Sequence, residues 1–337
     1  MRLHAILQVG VLSVAAFAQD GAFANTYWIV DMGPNTYATG VDGKGEVSVV
    51  RTSHHGKRRR ALVYSGGQLH LAPSQQSNAV AAGVSHGRVA GTIDEDAAVI
   101  WERHGEKPRK LAMPGASYAS VARGINTAGD VTGIFNTYRC FLWSHATGTS
   151  IDLGVLDDGD KCDAYAIDNR GRVYGRATSE PGYRYRAFVW HDGRMHRLPP
   201  LQPHGTSVAR GGNKAGDVVG SSYGVVDGEG DGHAVVWRDG LIQDLMPGRS
   251  GTRSVATGID DAGTIVGQRY YYASDGDPRT AIRFLPEGGY VYLGSEVVNR
   301  EGWGQLLSAT GISPDGVIVG WGVRDGGRLH GFMLIPQ

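Results

Sequence analysis

Short apolar runs, rich in Val, Ile and aromatic residues, alternate along this chain with turns that carry glycine and aspartate. No long stretch shows the 3.6-residue period of an amphipathic helix, so the runs predict strands and the chain reads as all-β. The pattern recurs. Its clearest copy, Val-Ala-Arg-Gly-Ile-Asn-Thr-Ala-Gly-Asp-Val-Thr-Gly at 121–133, has relatives at 38–49, 81–91, 164–175, 208–220, 255–267 and 308–320. The turn glycines Gly45, Gly87, Gly129, Gly171, Gly216, Gly263 and Gly316 are spaced 42 to 53 residues apart. A second run follows each copy: 61–64, 98–101, 140–143, 187–190, 234–237, 281–284 and 331–334. Tight Asp-Gly turns come next, as at Asp192-Gly193 and Asp239-Gly240, then a short run such as Ile151-Asp152-Leu153.

Each unit therefore reads as four short antiparallel strands, A to D. Seven such units predict a seven-bladed β-propeller. The seventh unit stops at 334–337 without a strand D, whereas Tyr27-Trp28-Ile29-Val30-Asp31-Met32-Gly33 resembles a strand D with no unit before it. Pairing the two closes the ring and removes an open sheet edge.

Within this frame, His233-Ala234-Val235, His330-Gly331-Phe332 and Arg186-Ala187-Phe188 open three of the C strands. On these residues the units resemble the HAF repeat, a bacterial extracellular repeat family named for its His-Ala-Phe motif. Ala98-Val99-Ile100 and Ala281-Ile282-Arg283 depart from the motif. The resemblance implies export and a repeat architecture. It transfers no catalytic residue.

The N-terminus supports export. Arg2 precedes a mostly apolar run over 5–17, and small-residue sites follow at Ala16-Phe17-Ala18 and Ala22-Phe23-Ala24. We expect a signal peptide at 1–24, the propeller at 25–337, and a secreted or periplasmic location. No later stretch reaches the length of a membrane span. Lys+Arg and Asp+Glu balance at 33 each, which argues against a nucleic-acid partner. The basic run Lys57-Arg58-Arg59-Arg60 is a local exception and reads as a solvated loop.

No motif carries a reaction. Two Gly-x-Ser-x-Gly stretches, 83–87 and 220–224, coincide with the repeat's own turn and glycine, not with a strand–turn–helix elbow. The repeated Trp101, Trp143, Trp190 and Trp237 predict inter-blade packing, and the strand-D aspartates Asp31, Asp152 and Asp244 predict a structural role. No cofactor is implied. Calcium is the one metal with candidates, the acidic loops Asp157-Asp158-Gly159-Asp160, Asp227-Gly228-Glu229-Gly230-Asp231 and Asp275-Gly276-Asp277, of which Asp227, Glu229 and Asp231 are singled out, and no histidine spacing marks a zinc site. Cys140 opens a strand C and Cys162 precedes the next strand A at the same end of the ring, so an exported protein is expected to pair them.

The A–B and C–D turns are short and alike, whereas the B–C and D–A connections vary, which places a ligand site on their face. Tyr270, Tyr271, Tyr272, Trp303 and Trp321 lie outside the repeat pattern there and are the candidate ligand-binding residues. The function expected is a non-catalytic, monomeric binding or scaffold propeller for a carbohydrate or protein. The alternative is a propeller-fold polysaccharide hydrolase or lyase.

Overall fold

The computed structural model describes residues 26–53, 56–72, 78–103, 105–115, 118–179, 184–224, 232–248, 252–271 and 279–337. Seven four-stranded antiparallel sheets follow one another around a ring, making a seven-bladed β-propeller. The innermost strands A are Thr36–Val41, Ala79–Ser85, Ser120–Ile125, Cys162–Ile167, Thr206–Gly212, Thr252–Ile259 and Trp303–Ile312. In the first six blades, strands B, C and D follow outward in chain order.

In five blades the A–B turn is held by its first residue. Oδ1 of Asp42, Asn126, Asp168, Asn213 and Asp260 accepts the backbone N–H four residues on, at 2.7–3.0 Å. The turn glycines all sit in the left-handed region, with φ between 75° and 102°, where a side chain would be strained. Strand A then departs from regular pairing. In all seven blades the register shifts at one position, marking a β-bulge at Thr39, Ala82, Arg123, Tyr165, Arg210, Thr257 and Thr310. Strand B carries a glycine opposite this region in six blades, and a Cβ at Gly133, Gly220 or Gly267 would collide with a strand-A carbonyl. The recurring glycine is thus the complement of the bulge.

The ring closes as the chain ends require. Tyr27–Pro34 pairs antiparallel with the C-terminal strand Arg328–Pro336, with Ile29 opposite Leu334 and Asp31 opposite Phe332. The outer edge of the N-terminal strand is clamped too. Ile29 N–H donates to Asn299 Oδ1 (2.7 Å), and Asn299 Nδ2 donates to the Ile29 carbonyl (3.1 Å). A strand edge satisfied in this way offers no template to another chain.

Between blades, the core is built from repeat positions. Trp101 packs with Ala61 and Val63 of the preceding blade, Trp143 with Ala98 and Ile100, and Trp237 with Ala187 and Val189. Those three indoles are buried; Trp190 is half-buried. A second junction device lies at the start of strand A. Oγ of Ser120, Ser207 and Ser254, and Oγ1 of Thr36, accept the strand-C N–H of Ala98, Ala187, Ala234 and Gly331 in the preceding blade at 2.9–3.0 Å. Between blades three and four the same two positions are Cys140 and Cys162, bonded as a disulfide with Cα atoms 5.4 Å apart.

Strand-D aspartates fasten strand C of their own blade. Asp244 pairs with His233 (2.7 Å), Asp152 with Arg139 (2.6 Å), and Asp31 with His330 and Arg324 (2.8 Å each). No helix among the described residues is long and apolar enough to cross a membrane. The expected signal peptide at 1–24 lies outside the described residues.

Candidate functional site at the mouth of the axial tunnel

The seven bulge residues meet at the axis. Together with Val80, Val121, Thr92, Asn78, Arg59 and Glu95 they line a cavity of about 570 Å³ opening to the face of the B–C and D–A loops. That volume lies within the roughly 300–1,000 Å³ of small-molecule sites. Below it, Val41, Val84, Ile125, Ile167, Ile259 and Ile312 form an aliphatic collar. The seventh position of the collar is Gly212, which leaves room for the Tyr174 hydroxyl. The collar lines a second cavity of about 290 Å³ at the A–B end, and the two cavities share no residue.

A bulge releases its side chain from the pleat and re-aims it. What that side chain does differs around the ring. Thr39 donates to the Ala81 carbonyl of blade two (2.9 Å), Thr257 to Ala309 of blade seven (2.8 Å), and Thr310 to Ala38 of blade one (2.8 Å). Those hydroxyls stitch neighbouring blades. Arg123, Tyr165 and Arg210, from blades three to five, instead enter the cavity.

The Arg210 guanidinium lies over the Tyr165 ring, 4.4 Å from its centroid. The Tyr165 hydroxyl donates to Asp163 Oδ2 (2.6 Å), which also pairs with Arg176 (3.1 Å). Arg176 in turn covers Tyr185, 4.2 Å from its centroid. Burial first, and the Asp163 charge second, push the Tyr165 phenol up to about 12, so it remains protonated at neutral pH. Arg59 is neutralised by Glu95 at 2.5 Å. Arg123 and Arg210 have no acidic partner among the described residues, so the cavity carries two uncompensated positive charges.

Among the described residues, Trp303, Trp321 and Tyr270 share no ring contact with one another. Trp303 opens strand A of blade seven, and its ring is buried edge-on to Phe332 and His330. Trp321 lies within strand B, Ile318–Arg324, half-buried against Tyr37 at 5.5 Å. Tyr270 is half-buried in Ile265–Tyr271; burial, then the nearby Tyr223, raises its phenol pKa, and Arg279 lies 5.9 Å from its ring. Tyr271 ends that strand, and Tyr272 lies outside the described residues. The calcium candidates Asp227, Glu229 and Asp231 also lie outside them. Among the described residues no three His, Cys, Asp or Glu side chains converge as a metal site.

Of the two Gly-x-Ser-x-Gly stretches, Ser85 ends a strand A, while Ser221 and Ser222 are buried inside strand B of blade five. Neither stands on a strand–turn–helix elbow. Sequence reading passed over Arg123, Tyr165 and Arg210. The usable signal was the variable residue of the small-x-Gly core, which reads Thr, Ala, Arg, Tyr, Arg, Thr, Thr around the ring.

Ring, aliphatic collar and loop-face cavity belong to a seven-bladed β-propeller. No protein-family model matches the chain, and no curated protein does. Among solved structures, an oligogalacturonate lyase in complex with manganese is similar at TM-score 0.56 and 11% identity, over 92% of this chain and 93% of that one. TolB from Acinetobacter baumannii is similar at TM-score 0.44 and 12% identity, over 87% and 79% of the two chains. The GH74 enzyme of Niastella koreensis gives 0.45 and 14%, with 91% of this chain on 43% of that one. At such identities the likeness is one of fold.

Proposed function

We propose that this protein is an exported, non-catalytic binding propeller that holds an anionic saccharide in the loop-face mouth of its tunnel. The observation that carries the reading is the pair of uncompensated guanidinium groups, Arg123 and Arg210, projected into a cavity of about 570 Å³. Guanidinium forks match carboxylates bidentately. The Tyr165 ring gives a flat face suited to a sugar. Tyr270 and Trp321 extend the aromatic surface at the rim in this reading, while Trp303 serves packing. The HAF-repeat resemblance and export to the periplasm or beyond accompany it.

A hydrolase or lyase reading is less favoured by the same cavity. Tyr165 holds its proton to about pH 12 and supplies no base.

Calorimetric titration with mono- and oligouronates tests the proposal. Removing two charge-assisted contacts of about 1.5–3 kcal/mol each, Arg123→Ala with Arg210→Ala should weaken binding at least 100-fold while leaving Tm unchanged. Undiminished binding by that variant, or equal affinity for neutral oligosaccharides, would overturn the reading.

A further inference from the structure

The basic run at 57–60 belongs to the same face as the tunnel mouth. It forms the B–C connection and strand-C start of blade one, and Arg59 lines the same cavity as Arg123 and Arg210. The connection is tied at its base: Ser53 N–H donates to the Arg58 carbonyl (2.8 Å), and Gly56 N–H to the Ser53 carbonyl (2.8 Å). Its side chains divide by function. Arg59 faces blade two and is neutralised by Glu95. Lys57, Arg58 and Arg60 are exposed and make no ion pair among the described residues.

Arg60 stands directly opposite Arg51 in the ladder between strands B and C. Like charges directly opposite across a sheet are destabilising. Neither guanidinium makes an ion pair among the described residues, and Asp31 of the N-terminal strand is taken by Arg324 and His330. Two arginines set face to face without a carboxylate form a ready seat for an anion from outside.

Resting on the binding reading above, we propose that the ligand is a chain: an acidic polysaccharide with one uronate unit in the tunnel mouth and later carboxylates on the Lys57–Arg58–Arg60 track of blade one. Cations spread along a surface meet successive charges of a polymer, whereas a monomer reaches the tunnel pair alone. The overall charge balance, 33 basic to 33 acidic residues, makes a local track and not a generally cationic surface.

The test compares uronate chain lengths. The wild-type protein should bind a hexauronate at least tenfold more tightly than a monouronate. The triple variant Lys57→Gln, Arg58→Gln, Arg60→Gln should bind both within about twofold of the wild-type monouronate value, with an unchanged melting curve. Arg60→Gln alone provides a second variant should the triple lower Tm, and it should lose part of the length effect. Length-independent binding by the wild-type protein overturns the chain proposal and leaves the tunnel reading intact. Failure of every uronate to bind overturns both. Tighter binding of single-stranded DNA or a sulfated polysaccharide of equal charge overturns the assignment to a carboxylated chain.

Discussion

The two arcs of the bulge ring share one backbone and use it differently. In blades six, seven and one, the bulge residue is a threonine whose hydroxyl bonds to a carbonyl of the next blade. In blades three to five it is Arg123, Tyr165 or Arg210, which faces the cavity. The second arc therefore gives up an inner fastening, and its junctions are fastened further out. The disulfide spans blades three and four. Arg172 reaches from blade four to the Asn213 carbonyl of blade five (2.7 Å). The junction of blades two and three, where the bulge residue is Ala82 and has no hydroxyl, is fastened by Glu102 and His145 (3.0 Å). A repeat fold can free some positions for binding when others take over the cohesion they supplied.

The largest expected effect lies in the outer fastenings. Cys140→Ala with Cys162→Ala should lower stability by about 3 kcal/mol, as expected for opening a loop of this size. Cys140→Ala with Cys162→Ser rebuilds the Ala–Ser pair of other junctions and should recover about 1 kcal/mol of that loss. Denaturant titration measures both, and equal stability of the two variants would break the equivalence between disulfide and hydroxyl junction.

Next come the inner stitches. Thr39→Val, Thr257→Val and Thr310→Val should each cost about 1 kcal/mol, because a carbonyl at the axis loses its donor. Uronate affinity should stay within a few-fold in each. A Thr→Val variant that abolishes binding with unchanged Tm would erase the distinction between the arcs.

The smallest effect concerns the junction of blades two and three. Partial burial acts first to raise the Glu102 pKa, but hydrogen bonds from Arg109, His145 and Arg88 together outweigh it and hold the carboxyl below its ordinary value. A depressed folded-state pKa means stabilisation present above the unfolded value and lost as pH falls through the folded one. Glu102→Gln should therefore lower stability slightly at pH 7, by less than about 1 kcal/mol for a group this exposed. The deficit should vanish in acid. Thermal melts of both proteins across the acidic range check the sign.

Ring and blades were legible because backbone requirements repeat. A left-handed glycine after each A strand and a glycine opposite the bulge in six of seven blades leave a period that survives sequence drift. Closure was legible from the orphan strand at 27–33. The cavity was not. Its residues occupy the one strand-A position that no ladder constrains, so they look like noise within the repeat. Trp303 misled in the opposite sense: an aromatic outside the motif looked like a ligand contact, yet the ring fills the core beside Phe332. The basic run was seen but read as a solvated loop, because its company at the tunnel mouth depends on the fold of blades far away in sequence.

The bulge has a consequence for inheritance. A residue outside the pairing ladder can be exchanged without shifting the register of its strand; the side chains of Ala82 and Arg123 make no hydrogen bond to a neighbouring blade among the described residues, and Arg210 touches its neighbour through the Tyr165 ring. These four places act as letters in a word written on an unchanging page. Respelling them would redirect the same ring to another ligand, with the grammar of turns, glycines and tryptophans left untouched.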